Sequence, residues 1–166
     1  MRLTEILSKG MVQKGSKVAM MPVFYGHEEI GYALRELEAT GIFVDHDDGI
    51  LDKIKKLFPE FEIRKGDALT FEERGVITTV HYRPMFNYPH ETIRPHSNAE
   101  IYGPGFEKMV QNISRLSPNF VLLSIEDKMA IDEEMDALKK AKFEVVEEGI
   151  YISGPVKRYL ISRSNT

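Results

Sequence analysis

Histidine is the side chain whose ordinary pKa lies nearest neutrality, so its placement is a first guide to acid–base chemistry. His81 closes an apolar run, Val76 to Val80, and opens a long irregular stretch. A histidine at a strand end can take a proton from a substrate held beside it. Tyr82 follows directly, and the pair are the catalytic candidates. The stretch from His81 to Gly105, HYRPMFNYPHETIRPHSNAEIYGPG, holds four prolines, many aromatics and no steady period. A loop of that length in a compact domain is usually a binding loop or a flexible segment. Arg83, Phe86 and Tyr88 could neutralise and stack on a nucleic-acid strand, which makes them substrate-binding candidates. The same aromatics could instead fold the loop onto the sheet, or meet a protein partner. His81, His90 and His96 match no compact metal-ligand spacing, and no metal site is expected.

These groups need a scaffold, and Val18 to Asp48 is the stretch that organises it. Val18 to Val23 is short and continuously apolar, as suits a strand buried on both faces. A turn through Phe24-Tyr25-Gly26 leads to a helix from about His27 to Ala39, with Ile30, Leu34 and Leu37 on one face. Gly41 to Val44 is a second strand ending in the polar run Asp45-His46-Asp47-Asp48. Asp47 or Asp48 can cap a third helix whose apolar face is Ile50, Ile54, Leu57 and Phe58. Strand, turn, helix and acid-ended strand form the first half of a nucleotide- or cofactor-binding sheet.

The remaining pattern extends this alternation. Leu3, Ile6 and Leu7 predict a short leading helix. Phe61 to Leu69 gives a third strand with a turn at Gly66-Asp67, and Val76 to Val80 the fourth. Phe106, Met109, Val110, Ile113 and Leu116 line a helix, Phe120 to Ile125 is a fifth strand, and Ile131, Met135 and Leu138 line a last helix. Phe143 to Val146 and Val156 to Ile161 are two final strands joined through Tyr151 to Pro155 without a helix. The expected fold is α/β, a Rossmann-like three-layer sandwich. Its sheet is seven-stranded and mostly parallel, with one antiparallel strand near the C-terminus.

Bulk composition narrows the classes. The chain has 166 residues, enough for one domain spanning 1–166 with a sizeable core. Hydrophobic residues at 42% and charged residues at 29% are ordinary for a globular protein. A net charge of −4 argues against a chain-wide basic surface, though not against a local one. The absence of cysteine excludes disulfides, thiolate metal sites and a cysteine nucleophile, and is compatible with the expected cytoplasmic location. The opening residues read as neither a signal peptide nor a membrane span.

The layout resembles the class I S-adenosylmethionine-dependent methyltransferases over nearly the whole chain, with local texture closest to small DNA/RNA-type members. Met21-Pro22-Val23-Phe24-Tyr25-Gly26-His27 stands where the family has its acid-ended first strand and glycine turn. Asp45 in GIFVDHD stands where the family's acid binds the ribose hydroxyls, and Gly66-Asp67-Ala68 where the adenine is contacted. The resemblance therefore implies S-adenosylmethionine as cofactor. It would be held by Tyr25, Gly26 and His27 at the methionine end, and by Asp45, His46, Asp67 and Ala68 at the adenosine end. It implies methyl transfer, with nucleic acid as one possible acceptor.

Two departures carry an alternative. Met21 replaces the acid of the first strand, and bulky Phe24 and Tyr25 replace glycines that would let a ligand approach the backbone. Glu28 and Glu29 at the head of the helix disfavour a pyrophosphate there. The alternative is a non-catalytic methyltransferase-like module that has lost its cofactor and binds protein or nucleic acid.

Overall fold

The computed structural model describes residues 2–21, 27–66, 71–82, 106–117, 119–124, 132–153 and 156–164. Its helices are α1 (Leu3–Lys9), α2 (His27–Glu36), α3 (Asp48–Leu57), α4 (Phe106–Leu116) and α5 (Asp132–Lys140). Its strands are β1 (Lys17–Met20), β2 (Thr40–Asp45), β3 (Glu62–Lys65), β4 (Ile77–Tyr82), β5 (Asn119–Ser124), β6 (Phe143–Ser153) and β7 (Val156–Ser164). The strands lie in the order β3-β2-β1-β4-β5-β7-β6. β3, β2, β1, β4 and β5 pair in parallel, and β7 runs antiparallel to both of its neighbours.

Period-two alternation divides the core between the two faces of this sheet. Val18 and Met20 of β1 and Phe43 of β2 join one buried cluster with Leu3, Ile6 and Leu7 of α1, Ile30 and Leu34 of α2, and Ile54 of α3. Ala19, Ile42 and Val44 join the other, with Val110, Ile113 and Leu116 of α4 and Ala137 and Leu138 of α5. Near-continuous apolar strands are what a sheet covered on both sides requires.

α3 begins where the acid run predicts. Asp47 is its N-cap, and Asp47 Oδ1 accepts from the backbone N–H of Gly49 at 2.8 Å and of Ile50 at 3.2 Å. Phe58, at the end of α3, is fully buried and lies parallel to Phe43 with ring centroids 6.4 Å apart. Phe61 sits 5.6 Å from Phe58 and 5.7 Å from Phe43. Each such ring contributes about 1.5–3 kcal/mol by leaving water, and ring pairs add about 0.5–1.5 kcal/mol. This aromatic knot fastens α3 to β2 and to the approach of β3. α2 comes close enough to touch it. A Cβ on Gly31 would lie 2.3 Å from the Phe58 ring, so only glycine fits there without rearrangement.

Several boundaries differ from the sequence expectation. β4 continues through His81 and Tyr82, so both belong to the strand rather than to the start of the loop. β6 runs on to Ser153, taking in Tyr151 to Ser153 that the sequence places in a connection. β3 stops at Lys65, and α2 at Glu36. Met135 is 36% exposed, and Ala137 with Leu138 forms the buried stripe of α5 in its place. Small Ala137 lets the helix settle on that side, which leaves Met135 at the margin.

Candidate functional site

In an open α/β sheet a ligand sits beyond the carboxyl ends of the strands, where the strand order reverses. Here that reversal lies between β1 and β4. Met20, the last residue of β1, pairs with Phe43 on one side and Thr79 on the other. Asp45 and His81 each stand two residues further along their own strands. The two candidates thus flank the end of β1, on backbones two strand spacings or about 10 Å apart. Tyr82 is the last residue of β4 and pairs with Ser124 of β5.

Asp45 is only 6% exposed, although it is a carboxylate at a strand end. Its Oδ1 accepts from the backbone N–H of Asp47 at 2.9 Å, a charge-assisted bond that fixes its orientation. Its own carbonyl accepts from the N–H of Gly66 at 3.0 Å, which ties the end of β2 to the end of β3. The local cause is a polar turn in which Asp45 bonds to the residue that caps α3. His46 lies in this turn and is half-buried. Beside it, Lys65 Nζ reaches Asp48 Oδ2 at 3.2 Å across exposed surface, a pair of little energetic weight.

A cleft of about 400 Å³ opens next to this turn. Val44, Arg64, Lys65, Gly66, Phe71 and Glu73 are among the residues that line it. Arg64 holds Glu62 and also reaches Glu73 Oε1 at 2.7 Å. Glu73 Oε2 is buried and lies 2.8 Å from Lys17 Nζ, an ion pair by proximity rather than an aligned hydrogen bond. Lys17 and then Arg64 hold the Glu73 carboxyl below its ordinary range. Glu62, followed by Glu73, raises Arg64. Sequence reasoning treats Phe71 to Gly75 as a plain polar connection and so misses this cluster. The available signal is Phe71, a lone aromatic among charges, which is buried. A second cleft, of about 600 Å³, lies among Met11, Arg115, Leu116, Asn119 and Arg163, at the opposite end of the strands from Asp45.

The other candidates are placed as follows. His27 is the first residue of α2, with Glu28 and Glu29 behind it in the first turn. Tyr25, Gly26, Asp67, Ala68, Arg83, Phe86 and Tyr88 lie outside the described residues. The described structure therefore brings Asp45, His46 and the backbone of His81 and Tyr82 to one end of the sheet. Met21, where the resemblance leads one to expect an acid, is fully buried in the core. Among the described residues no cluster of three or more His, Asp or Glu side chains could hold a metal ion. No helix among them is long and apolar enough to cross a membrane.

The fold is that of the class I S-adenosylmethionine-dependent methyltransferases. A TehB-like SAM-dependent methyltransferase from Corynebacterium glutamicum superposes with a TM-score of 0.65 at 15% identity, covering 98% of this chain and 86% of the other. Magnesium protoporphyrin IX methyltransferase from Synechocystis, solved with bound SAM, gives 0.68 at 10% identity, covering 97% and 75%. A candidate methyltransferase from Bacillus halodurans gives 0.69 at 12% identity and covers 99% of both chains. At such identities the likeness is one of fold. No protein-family model matches the sequence. No curated protein matches it either.

Proposed function

We propose that this chain is a single-domain S-adenosylmethionine-dependent methyltransferase. The observation that carries the reading is Asp45, a buried and oriented carboxylate at the end of β2, with the backbone of His81 in β4 on the other side of the end of β1. The donor set fits the cofactor. A fixed carboxylate is an acceptor for the paired hydroxyls of a ribose; of the other two carboxylates in its turn, Asp47 is engaged as the cap of α3 and exposed Asp48 is met by Lys65. When bound, the cofactor supplies an electrophilic methyl group on a sulfonium.

The residues have separate tasks in this reading. Asp45 holds the ribose, His46 borders the adenosine, and Asp67 with Ala68 meets the adenine. Tyr25, Gly26 and His27 hold the methionine end. His81, with Tyr82 beside it, takes the proton from the acceptor, while the site supplies alignment. Arg83, Phe86 and Tyr88 bind the acceptor, for which nucleic acid is the chemistry that basic and aromatic residues together suit.

A second reading has its own support. Fully buried Met21 is an apolar residue where an acid would meet the methionine end, and Glu28 and Glu29 add negative charge nearby. A module that keeps the fold without the cofactor would show these features. Calorimetric titration with S-adenosylmethionine and S-adenosylhomocysteine separates the two. Micromolar binding that Asp45→Ala weakens about ten- to a hundredfold supports the enzyme. No heat at millimolar ligand supports the binding module.

A further inference from the structure

The cleft of about 600 Å³ at the far end of the strands from Asp45 is lined by two arginines, Arg115 from the last turn of α4 and Arg163 next to the end of β7. Among its described lining residues there is no carboxylate. Arg163 and Asn119 are register partners across β7 and β5, so their side chains leave the same face about 5 Å apart. Among the described residues neither side chain makes a hydrogen bond or an ion pair, even though exposed Glu144 is the partner of Arg163 on β6. Arg115 donates through Nη2 to Asn112 Oδ1, which engages one nitrogen of its fork. The carbonyls at the end of α4 favour a cation and account for Arg115. They do not account for Arg163, which comes from a strand.

The apolar wall of the cleft includes Met11, which stands in an unusual backbone position. Val12 N donates to the Leu7 carbonyl and Met11 N to the Ser8 carbonyl, each at 3.0 Å. α1 therefore ends in the doubled turn whose left-handed position is normally a glycine. Met11 holds that position at φ 73° and is 50% exposed. The turn is pressed onto β5, since a Cβ on Gly10 would meet Val121 Cγ2 at 2.5 Å. A methionine that strains the backbone and buries only half of itself is suited to a contact outside the chain.

We propose that this cleft binds a phosphate monoester of about mononucleotide size, with the phosphate held by Arg115 and Arg163 and the ring of the ligand against Met11. Small-molecule sites are on the order of 300–1,000 Å³, a range that includes this cleft. Two guanidiniums balance a dianion. A phosphate monoester carries about −1.5 to −2 at neutral pH, whereas a single carboxylate would leave one arginine unmatched. Asn119 adds an amide donor beside Arg163. The polarisable thioether of Met11 suits a flat ring. The net charge of −4 disfavours a long polyanion, so a small ligand is favoured over a nucleic-acid strand. The cleft lies at the opposite end of the strands from the proposed cofactor, and the proposal does not depend on that reading.

The probe is uridine monophosphate, with uridine and inorganic phosphate as its two halves. Affinities are measured by calorimetry at low salt, and folding is followed by circular dichroism. The wild type should bind uridine monophosphate with a Kd between about 10 and 500 µM, and either half about tenfold more weakly. Arg115→Ala and Arg163→Ala, at exposed positions, should each weaken it about tenfold or more. Met11→Gly should keep or raise Tm, weaken the nucleotide severalfold and leave inorganic phosphate unchanged, a split that a purely structural methionine would not produce. Asp45→Ala, at the other end of the strands, should leave the nucleotide affinity unchanged. No binding of uridine monophosphate to the wild type at millimolar concentration overturns the proposal, as does wild-type affinity in both arginine variants. A short oligouridylate that binds more than about tenfold tighter through the same arginines overturns it in favour of a nucleic-acid strand.

Discussion

Gly31 shows how one residue can be read by weighing two magnitudes. Alanine in the middle of a helix is favoured over glycine by about 1 kcal/mol. Against that, the new Cβ would meet Phe58 ring carbons at 2.3 and 2.4 Å, and Phe58 is fully buried in the aromatic knot. Overpacking of a well-filled core costs typically about 1–3 kcal/mol. Gly31→Ala should therefore lower stability by on the order of 1 kcal/mol despite its better helix propensity, or about 2–4 °C in Tm. Thermal melts decide it, and a Tm unchanged or raised would show that the Phe58 ring can yield. In a Phe58→Leu background, itself less stable, Gly31→Ala should cost less than it does in the wild type, since the obstructing ring edge is gone. The sequence marks Gly31 as small but does not reveal its partner, because Phe58 lies beyond an intervening strand and helix.

Among the elements, the turn from β2 into α3 joins stability to the proposed site. The Asp47 side chain caps α3, while the Asp47 backbone N–H orients Asp45. Asp47→Ala keeps the second contact and loses the first. It should cost about 1 kcal/mol of stability in urea unfolding, with much less effect on nucleoside affinity than Asp45→Ala. Comparable losses of affinity in the two variants would mean that the cap itself shapes the site. The bridge of β1, β3 and the 71–73 segment makes a different forecast. Lys17 and Arg64 hold Glu73 below the ordinary carboxylate range, so its contribution is present above the unfolded value. It is lost as the pH falls through the lowered folded value. The stability difference between wild type and Glu73→Gln should accordingly shrink on acidification below the ordinary carboxylate range. A difference that stays constant there would mean that the pair adds nothing ionic.

Over the whole molecule, what the sequence reveals follows the range of the interactions. Helical spacing and apolar runs are local, so α1, β1, β2, the Asp47 cap and the final strand pair can all be read from them. Strand ends depend on neighbours. β4 carries His81 and Tyr82 inside the sheet because β5 offers Leu123 and Ser124 as partners, and no local pattern states that. The Lys17–Glu73–Arg64 cluster joins residues from three segments and is silent in the sequence for the same reason. Asp45 stands out only because it ends an apolar run, and its oriented carboxylate emerges from the turn that follows. Such a site, spread over strands that only the folded sheet brings together, has a consequence for the molecule as a unit. A ligand that binds the assembled ends of β1, β2 and β4 binds the native state alone. At a hundred times its Kd it should stabilise that state by about 2.7 kcal/mol. For a domain of this size that corresponds to a rise of about 5–10 °C in Tm. S-adenosylhomocysteine at that concentration should give that shift in the wild type, and Asp45→Ala should lose about half of it or more at the same ligand concentration. Full-length shifts of equal size in both would place the nucleoside away from β2, whereas no shift in the wild type would leave the fold intact and remove the cofactor from it.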